Sequence, residues 1–388
     1  MDVDHYQIHK HGQTVAGDVF LTRKLHGEDG LIAVLSDGMG SGVKANVLAT
    51  LTAVMSANFI AQQWAPETVA RRIMSTLPVC SVRGIAYATF TIALIRGNGE
   101  AQIIEFGNPA FYWFRNNKRL TPQSDFIHIP VTGARTETLR SSTITWQRGD
   151  RIVFFSDGIT QSGMGSDLYP LGWGDAPAAS FMTKVIEDDD QIAARRLSRR
   201  HCRKALELDG FKAKDDITCG VIYFREPRKL IVVTGPPVDR ENDKHLAARV
   251  NQFDGRKVVC GGTTVSIIAR ELGCEVEVDL DHLTDEVPPI THMSQIDLAT
   301  EGIITLATTV RHLESGQMPS DDPHHAVSEL CRLLMDSDII HFLVGTRINE
   351  VHQDPAMPED LEIRRNIIKK MAALLESRYL KATQILYI

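Results

Sequence analysis

Short apolar runs that end in turn residues dominate the first part of the chain. Residues 31–35 (LIAVL) and 152–155 (IVFF) are continuous apolar runs, and both lead directly into Ser-Asp-Gly. Runs of four or five apolar residues are typical of central strands that are buried on both faces. The pattern therefore predicts two buried strands, each of which delivers an aspartate, Asp37 or Asp157, to the edge of a sheet.

The same pattern predicts further strands and helices in this part of the chain. Apolar runs bounded by turn residues predict strands at 87–95, 101–106 and 219–224. Apolar residues at three- and four-residue spacing predict helices at 43–60, 66–77 and 190–206. In the first helix the residues at this spacing are Val47, Leu51, Val54 and Met55. We expect these helices to lie on sheets.

The character of the chain changes after a polar, proline-containing segment at 225–229 (REPRK). Beyond it, predicted strands at 230–233, 257–260 and 276–278 alternate with predicted helices at 243–253 and 264–272. A βαβαβ order indicates a parallel sheet with helical crossovers. Helices at 303–313 and 326–335, a strand at 339–344 and a long final helix follow. We therefore predict two domains, 1–224 and 228–388, the second an α/β domain with a parallel sheet.

Length and composition agree with this division and exclude several classes of protein. A chain of 388 residues with 43% hydrophobic and 23% charged residues is typical of two globular domains. A net charge of -7 argues against a protein that coats nucleic acid or an anionic membrane. The apolar runs are too short to span a bilayer, and the six cysteines form no CxxC pair. We expect a cytoplasmic protein without a zinc site.

Four acidic positions share a context at the ends of predicted strands. Asp37 and Asp157 follow strands, while Asp18 and the pair Asp215-Asp216 precede them. A single Asp-Gly is a common turn, but the recurrence of near-identical SDG segments is harder to explain by turns alone. Converging carboxylates are the ligands that Mg²⁺ and Mn²⁺ prefer, and two such ions can activate water for phosphate hydrolysis. The sequence therefore predicts a metal site.

The order of the motifs resembles a known family of enzymes. The segments GD (17–18), SDGMGSG (36–42), EFGNPAFYWF (105–114), FFSDGIT (154–160) and KDDITCGVIYF (214–224) are similar to those of PPM (protein phosphatase 2C-type) metal-dependent phosphatases. The bacterial sporulation and RsbU-like stress-response branch is the most similar. The resemblance implies an α/β/β/α sandwich for residues 1–224, with two Mn²⁺ or Mg²⁺ ions at one edge.

The resemblance also implies a role for each matching residue. Asp37 would bridge both ions and act in catalysis through the water that they share. Asp18 and the backbone carbonyl of Gly38 would bind one ion, and Asp157 and Asp215 the other. In the family motif Asp215 is the matching ligand position and Asp216 follows it, so Asp215 is the expected ligand and Asp216 the alternative.

The implied function is hydrolysis of phosphoserine or phosphothreonine on a protein in bacterial signalling. By resemblance to the stress-response branch, an anti-anti-sigma-type regulator is the expected substrate. The alternative is a PPM-fold scaffold that binds a ligand or partner and has weak or no activity. Basic pairs between 195 and 204 lie on one predicted helix, where they form either a solvated face or a docking surface for a phosphoprotein.

The second domain matches no family that the sequence identifies. Its distinctive feature is a Gly-Gly-Thr-Thr turn, where a strand leads into a helix and free N–H groups would gather. This turn would bind an anion or nucleotide, or it is a plain turn capped by a threonine. The domain is accordingly expected to sense a small molecule or to serve a structural role. One such structural role would be to form a homodimer. The turn residues are Gly261, Gly262, Thr263 and Thr264.

Overall fold

The computed structural model describes residues 1–388 except 26–29, 41, 77–87, 131–135, 279–289, 320, 321, 323 and 347–357, and side chains are not described at 358–361. The chain divides into two compact units, Met1–Glu226 and Pro227–Ile388. We describe the two units separately.

The first unit contains two antiparallel sheets. Its strands are β1 Asp2–Ile8, β2 Asp18–Lys24, β3 Leu31–Gly38, β4 Ala88–Ile95, β5 Glu100–Phe106, β6 Tyr112–Arg115, β7 Lys118–Leu120, β8 Ser124–Pro130, β9 Thr136–Thr145, β10 Arg151–Phe155 and β11 Ile217–Tyr223. Its helices are α1 Val43–Ala61, α2 Pro66–Thr76, α3 Asp157–Thr160, α4 Asp175–Asp188 and α5 Ala194–Leu208. One sheet has the order β1-β11-β10-β6-β7, and the other has the order β2-β3-β4-β5-β9-β8.

The two sheets pack face to face between two helical layers. Helices α1 and α2 cover the six-stranded sheet, and α4 and α5 cover the five-stranded sheet. Between the sheets, the ring of Phe20 on β2 stacks on that of Phe154 on β10, with centroids 5.6 Å apart. Phe20 fits there because Gly220 on β11 has no side chain that would collide with it. The predicted α/β/β/α sandwich is confirmed.

Helix α1 buries a different face from the one that the larger apolar residues predict. Val47 and Leu51 are 57% and 45% exposed, and Val54 is exposed as well. The buried face instead carries small residues, because only small side chains allow the first turn of α1 to approach β3 closely. The larger apolar residues are therefore on the exposed face. The alanines of the buried face are Ala45, Ala49, Ala53 and Ala57.

Among the described residues, α1 is also the one helix that is long and apolar enough, by length and composition alone, to cross a membrane. The apolar runs of the sequence do not predict such a segment, because alanine, serine and threonine separate its larger residues. This helix packs on strands β2, β3 and β4.

The second unit is built on a mainly parallel sheet with the order β14-β15-β16-β13-β12-β17-β18. Its strands are β12 Lys229–Thr234, β13 Arg256–Cys260, β14 Val276–Val278, β15 Ile290–Met293, β16 Leu298–Thr300, β17 Ile339–Val344 and β18 Ala382–Tyr387. Its helices are α6 Asp243–Asn251, α7 Gly262–Leu272, α8 Ile303–Ser315, α9 Ala326–Asp336 and α10 Pro358–Tyr379. Five adjacent strands of this sheet run parallel to one another, in the order β16-β13-β12-β17-β18.

The third strand of the predicted βαβαβ order has a different place from the one expected. Strand β14 does not extend the parallel core but pairs antiparallel with β15, and β15 pairs antiparallel with β16. On the side of β13 away from β12, the parallel neighbour is β16, which the sequence pattern did not reveal. A three-residue strand whose residues are all exposed provides too little apolar surface for a central position.

Candidate metal centre

Facing edges of the two sheets in the first unit bring four carboxylates into one region. Asp18 begins β2 and is paired in register with Asp37 near the end of β3. Asp157 begins α3, with Ser156 between it and β10, and Asp215 lies two residues before β11, the antiparallel neighbour of β10. Each of Asp18, Asp157 and Asp215 contributes to the electrostatic field at Asp37. We call these four residues the carboxylate cluster.

Glycine follows Asp37 and Asp157 because another part of the backbone lies against each position. A Cβ on Gly38 would overlap the carbonyl of Ala45 in the first turn of α1. A Cβ on Gly158 would overlap the carbonyl of Asp216, which immediately precedes β11. The two Asp-Gly pairs are therefore packing requirements that hold the cluster together as well as turns.

Burial raises the proton affinity of the two paired aspartates. It raises the pKa of Asp18 to about 7, with a further increase from Asp216 and Asp157 and an opposing effect of hydrogen bonds to Thr218 and Ser156. The pKa of Asp37 is raised well above its usual range, first by burial and then by the negative charges of the rest of the cluster. These carboxylates are unfavourably placed as anions unless a cation lies beside them.

Asp157 and Asp215 lie nearer to solvent. Burial, followed by the charge of Asp215, raises the pKa of Asp157, and a hydrogen bond from Gln161 Nε2 to Asp157 Oδ2 at 2.6 Å opposes this effect. The side chain of Asp215 is 43% exposed. The cluster thus runs from buried Asp18, through half-buried Asp37 and Asp157, to the more exposed Asp215.

Asp215 and Asp216 have different surroundings although they are adjacent. Asp216 is buried, and its Oδ1 and Oδ2 accept hydrogen bonds from the backbone N–H groups of Lys10 (2.9 Å) and Gly17 (2.7 Å). Asp216 therefore fixes the segment between β1 and β2, which leads into Asp18. Asp215 instead extends toward the cluster, and this arrangement favours Asp215 as the metal ligand.

Lys10 is a site residue that the sequence pattern did not single out. Its Nζ lies 3.6 Å from Asp215 Oδ1, and its positive charge lowers the pKa of Asp157. Lys10 stands in a polar segment, HKHGQ, that matches no motif, and a hydrogen bond from its backbone N–H to Asp216 holds it beside the cluster. No local signal in the sequence would have identified it.

The residues of the cluster fit a divalent cation in chemistry. Among the described side chains, Asp18 Oδ2 is buried and has no hydrogen-bond partner, so this oxygen fits the role of a cation ligand. Carboxylate oxygens suit Mg²⁺ and Mn²⁺. In the part of the chain that the structure describes, no group of three such side chains is drawn together to full coordination distance.

The Gly-Gly-Thr-Thr turn and the basic helix α5, the other features that the sequence suggests for ligand binding, lie in different parts of the structure from the carboxylate cluster. Gly261 caps α7, and Gly262, Thr263 and Thr264 form its first turn in the second unit. On the basic helix α5, Arg195 pairs with Asp4 at 3.3 Å and Arg196 with Asp189 at 3.7 Å. These ion pairs favour a solvated face over a docking surface for this part of α5.

The sandwich and the cluster define a protein phosphatase 2C-type fold. The family model for Stage II sporulation protein E (SpoIIE) matches residues 27–225, about half of the chain, and the chain therefore belongs to the SpoIIE family. No curated protein sequence matches the chain.

Several solved structures are similar to this chain. The phosphatase domain of SpoIIE from Bacillus subtilis, solved with a fragment of its regulatory domain, is 17% identical, with a TM-score of 0.47 over 58% of this chain and 63% of that one. The RsbU and RsbW domains of a Mycobacterium tuberculosis protein are 20% identical, with a TM-score of 0.44 over 64% and 67%. The SiaA PP2C domain of Pseudomonas aeruginosa is 16% identical, with a TM-score of 0.41 over 57% and 84%.

Proposed function

We propose that the first unit is a phosphoprotein phosphatase that hydrolyses phosphoserine or phosphothreonine with two Mn²⁺ or Mg²⁺ ions. The observation that carries this proposal is the carboxylate cluster, in which buried Asp18 and half-buried Asp37 and Asp157 lie together with the more accessible Asp215. Membership of the SpoIIE family supports the same chemistry.

In this proposal each carboxylate has a defined task. Asp37 lies centrally in the cluster and would contact both ions. Asp18 and the carbonyl of Gly38 would hold one ion, and Asp157 and Asp215 would hold the other. When bound, the cations would lower the pKa of water toward neutrality and neutralise charge on the phosphoryl group. Gln161 orients Asp157 through their 2.6 Å hydrogen bond.

Lys10 would bind the phosphate of the substrate. Its ammonium group is 3.6 Å from Asp215 and 35% exposed, so it can contact both the cluster and an incoming dianion. The hydrogen bond from its backbone N–H to Asp216 holds this side chain at the cluster. A cation at this place favours a phosphate group over neutral ligands.

We propose a phosphorylated regulator of the anti-anti-sigma type as the substrate, on the basis of the resemblance to the stress-response branch. A PPM-fold scaffold without activity is the alternative. The presence of Asp18, Asp37, Asp157 and Asp215 in one cluster favours the enzyme, because a scaffold has no need to retain four mutually repelling carboxylates.

Phosphate release from an aryl phosphate and from a phosphoserine protein, with and without Mn²⁺, tests the proposal. We expect turnover only with metal, and an increase in KM with little change in kcat for the phosphoprotein when Lys10→Gln is compared with wild type. Lys10→Arg should restore KM in part. Absence of turnover above the metal-only control on both substrates would favour the scaffold.

A further inference from the structure

The parallel sheet of the second unit has a point at which the strand order reverses. From β12 the chain proceeds to β13 and then to β16 on one side, and returns to β17 and then β18 on the other side. In open parallel sheets of this kind, ligands bind beyond the carboxyl ends of the strands where the order reverses. This point lies between β12 and β17, where Thr234 is paired in register with Val344.

Thr234 presents a buried hydroxyl at this position. It is the last residue of the central strand β12 and is 0% exposed, and among the described residues its Oγ1 has no hydrogen-bond partner. Leu230 and Val232 belong to the core on the α8, α9 and α10 side of the sheet. Because side chains alternate along a strand, the Thr234 hydroxyl points to the same side of the sheet, the one that α8, α9 and α10 cover.

Arg364 on α10 brings a positive charge to the same end of β12. Its Nη1 lies 2.8 Å from the position that a Cβ on Gly235, the residue after Thr234, would occupy. Gly235 has a φ of +81°, which favours glycine, and the carbonyl oxygen of Gly345 lies 2.9 Å from the same Cβ position. Only glycine at 235 leaves room for the guanidinium beside the end of the strand.

The neighbouring Gly-Gly-Thr-Thr turn is a less favourable place for an anion. Glu301 Oε1 lies 3.9 Å from the position of a Cβ on Gly262, so a carboxylate already faces the amino end of α7. The N–H of Gly261 is also used, because it donates to the carbonyl of Thr300 at 2.7 Å. Among the ends of the parallel strands, the one at Thr234 combines a buried hydroxyl without a partner with a nearby guanidinium.

We propose that the second unit binds a phosphorylated small molecule at the end of β12, with its phosphate held by the Thr234 hydroxyl and the Arg364 guanidinium. The phosphate would accept the hydrogen bond that Thr234 otherwise lacks, and Arg364 would neutralise its charge. This moves the ligand site predicted at Gly261–Thr264 to the adjacent strand.

Isothermal titration calorimetry on the full chain in EDTA tests this site, since EDTA removes metal from the carboxylate cluster, where phosphate would otherwise bind. The probes are inorganic phosphate, ribose 5-phosphate and AMP, with ribose and adenosine as controls. The variants are Thr234→Val and Arg364→Gln. Arg365→Gln is the matched control, because it removes the same charge from the adjacent residue, whose guanidinium lies over the ring of Tyr387.

We expect at least one phosphorylated probe to bind wild type and Arg365→Gln, and to bind both site variants about 10-fold more weakly or worse. Thr234→Val should melt at the same or a higher temperature than wild type without ligand, because it removes an unpaired buried hydroxyl. If Arg364→Gln does not fold, Thr234→Val decides the question. Lack of binding by all three probes, equal binding by the Thr234→Val variant, or equal binding of the controls without phosphate would overturn the proposal.

Discussion

Neutralising Asp18 should stabilise the metal-free protein at alkaline pH. In the folded chain burial raises the pKa of Asp18 from 3.8 to about 7. The folded state therefore binds more protons than the unfolded state between these pH values, and stability falls as pH rises from about 4 to about 7. Above pH 7 the full cost of the buried charge is present. Asp18→Asn removes this cost.

The size of the effect follows from the same values. Each tenfold change in proton affinity corresponds to about 1.4 kcal/mol, so the difference between 3.8 and about 7 sets an upper limit of about 4 kcal/mol. The asparagine amide that replaces the carboxylate is itself a buried polar group, so the measured gain at pH 8 should be smaller than this limit. At pH 4 the two proteins should be nearly equal, because the wild-type carboxyl is then protonated.

Urea unfolding followed by tryptophan fluorescence measures this gain in the first unit alone. All four tryptophans of the chain, Trp64, Trp113, Trp146 and Trp173, lie in that unit. Asp125→Asn, an exposed aspartate on β8, is the control and should change stability little. With Mn²⁺ the order should reverse, because wild type gains binding energy that Asp18→Asn loses. A variant no more stable than wild type at pH 8 in EDTA, or one with an equal gain at pH 4, would refute the reasoning.

The remaining predictions concern the roles of individual aspartates. Asp37→Asn should reduce kcat/KM at fixed Mn²⁺ by more than Asp157→Asn does, because Asp37 would contact both ions. We expect each variant to lose at least about 10-fold to 100-fold in kcat/KM. A loss in Asp37→Asn that is equal to or smaller than the loss in Asp157→Asn would contradict this. Asp215→Asn should lower activity and leave the melting temperature in EDTA unchanged. Asp216→Asn should instead lower the free energy of unfolding in urea by about 1.5–3 kcal/mol, because it weakens the hydrogen bonds from the backbone of Lys10 and Gly17. If Asp216→Asn lost activity without loss of stability and Asp215→Asn lost stability without loss of activity, Asp216 would be the ligand.

The parts of the fold that the sequence predicts correctly are those with a local signal. The apolar runs before Ser-Asp-Gly become β3 and β10, and the predicted strand at 339–344 matches β17. In each of these runs the composition of a few consecutive residues determines both burial and strand formation. Because Ser-Asp-Gly directly follows two of these runs in the sequence, the local pattern also predicts that Asp37 and Asp157 lie at the edges of sheets.

The parts that the sequence predicts incorrectly or does not reveal depend on contacts between distant segments. Which face of α1 is buried is decided by how closely the helix approaches Gly38, and the periodicity of Val47 and Leu51 carries no information about that distance. The position of β14 depends on its pairing with β15, which lies outside the local pattern. Asp216 acts through Lys10 and Gly17, about 200 residues earlier in the chain.

Counting bound Mn²⁺ while phosphate release is measured tests the central claim most directly. The full chain would be titrated with Mn²⁺ in the presence of a phosphoserine protein, with metal content and turnover determined in the same samples. We predict two ions per chain, turnover that rises as they bind and disappears in EDTA, and loss of both ions and of turnover in Asp37→Asn. Binding of fewer than two ions, turnover that persists in EDTA, or an active Asp37→Asn variant would contradict the account.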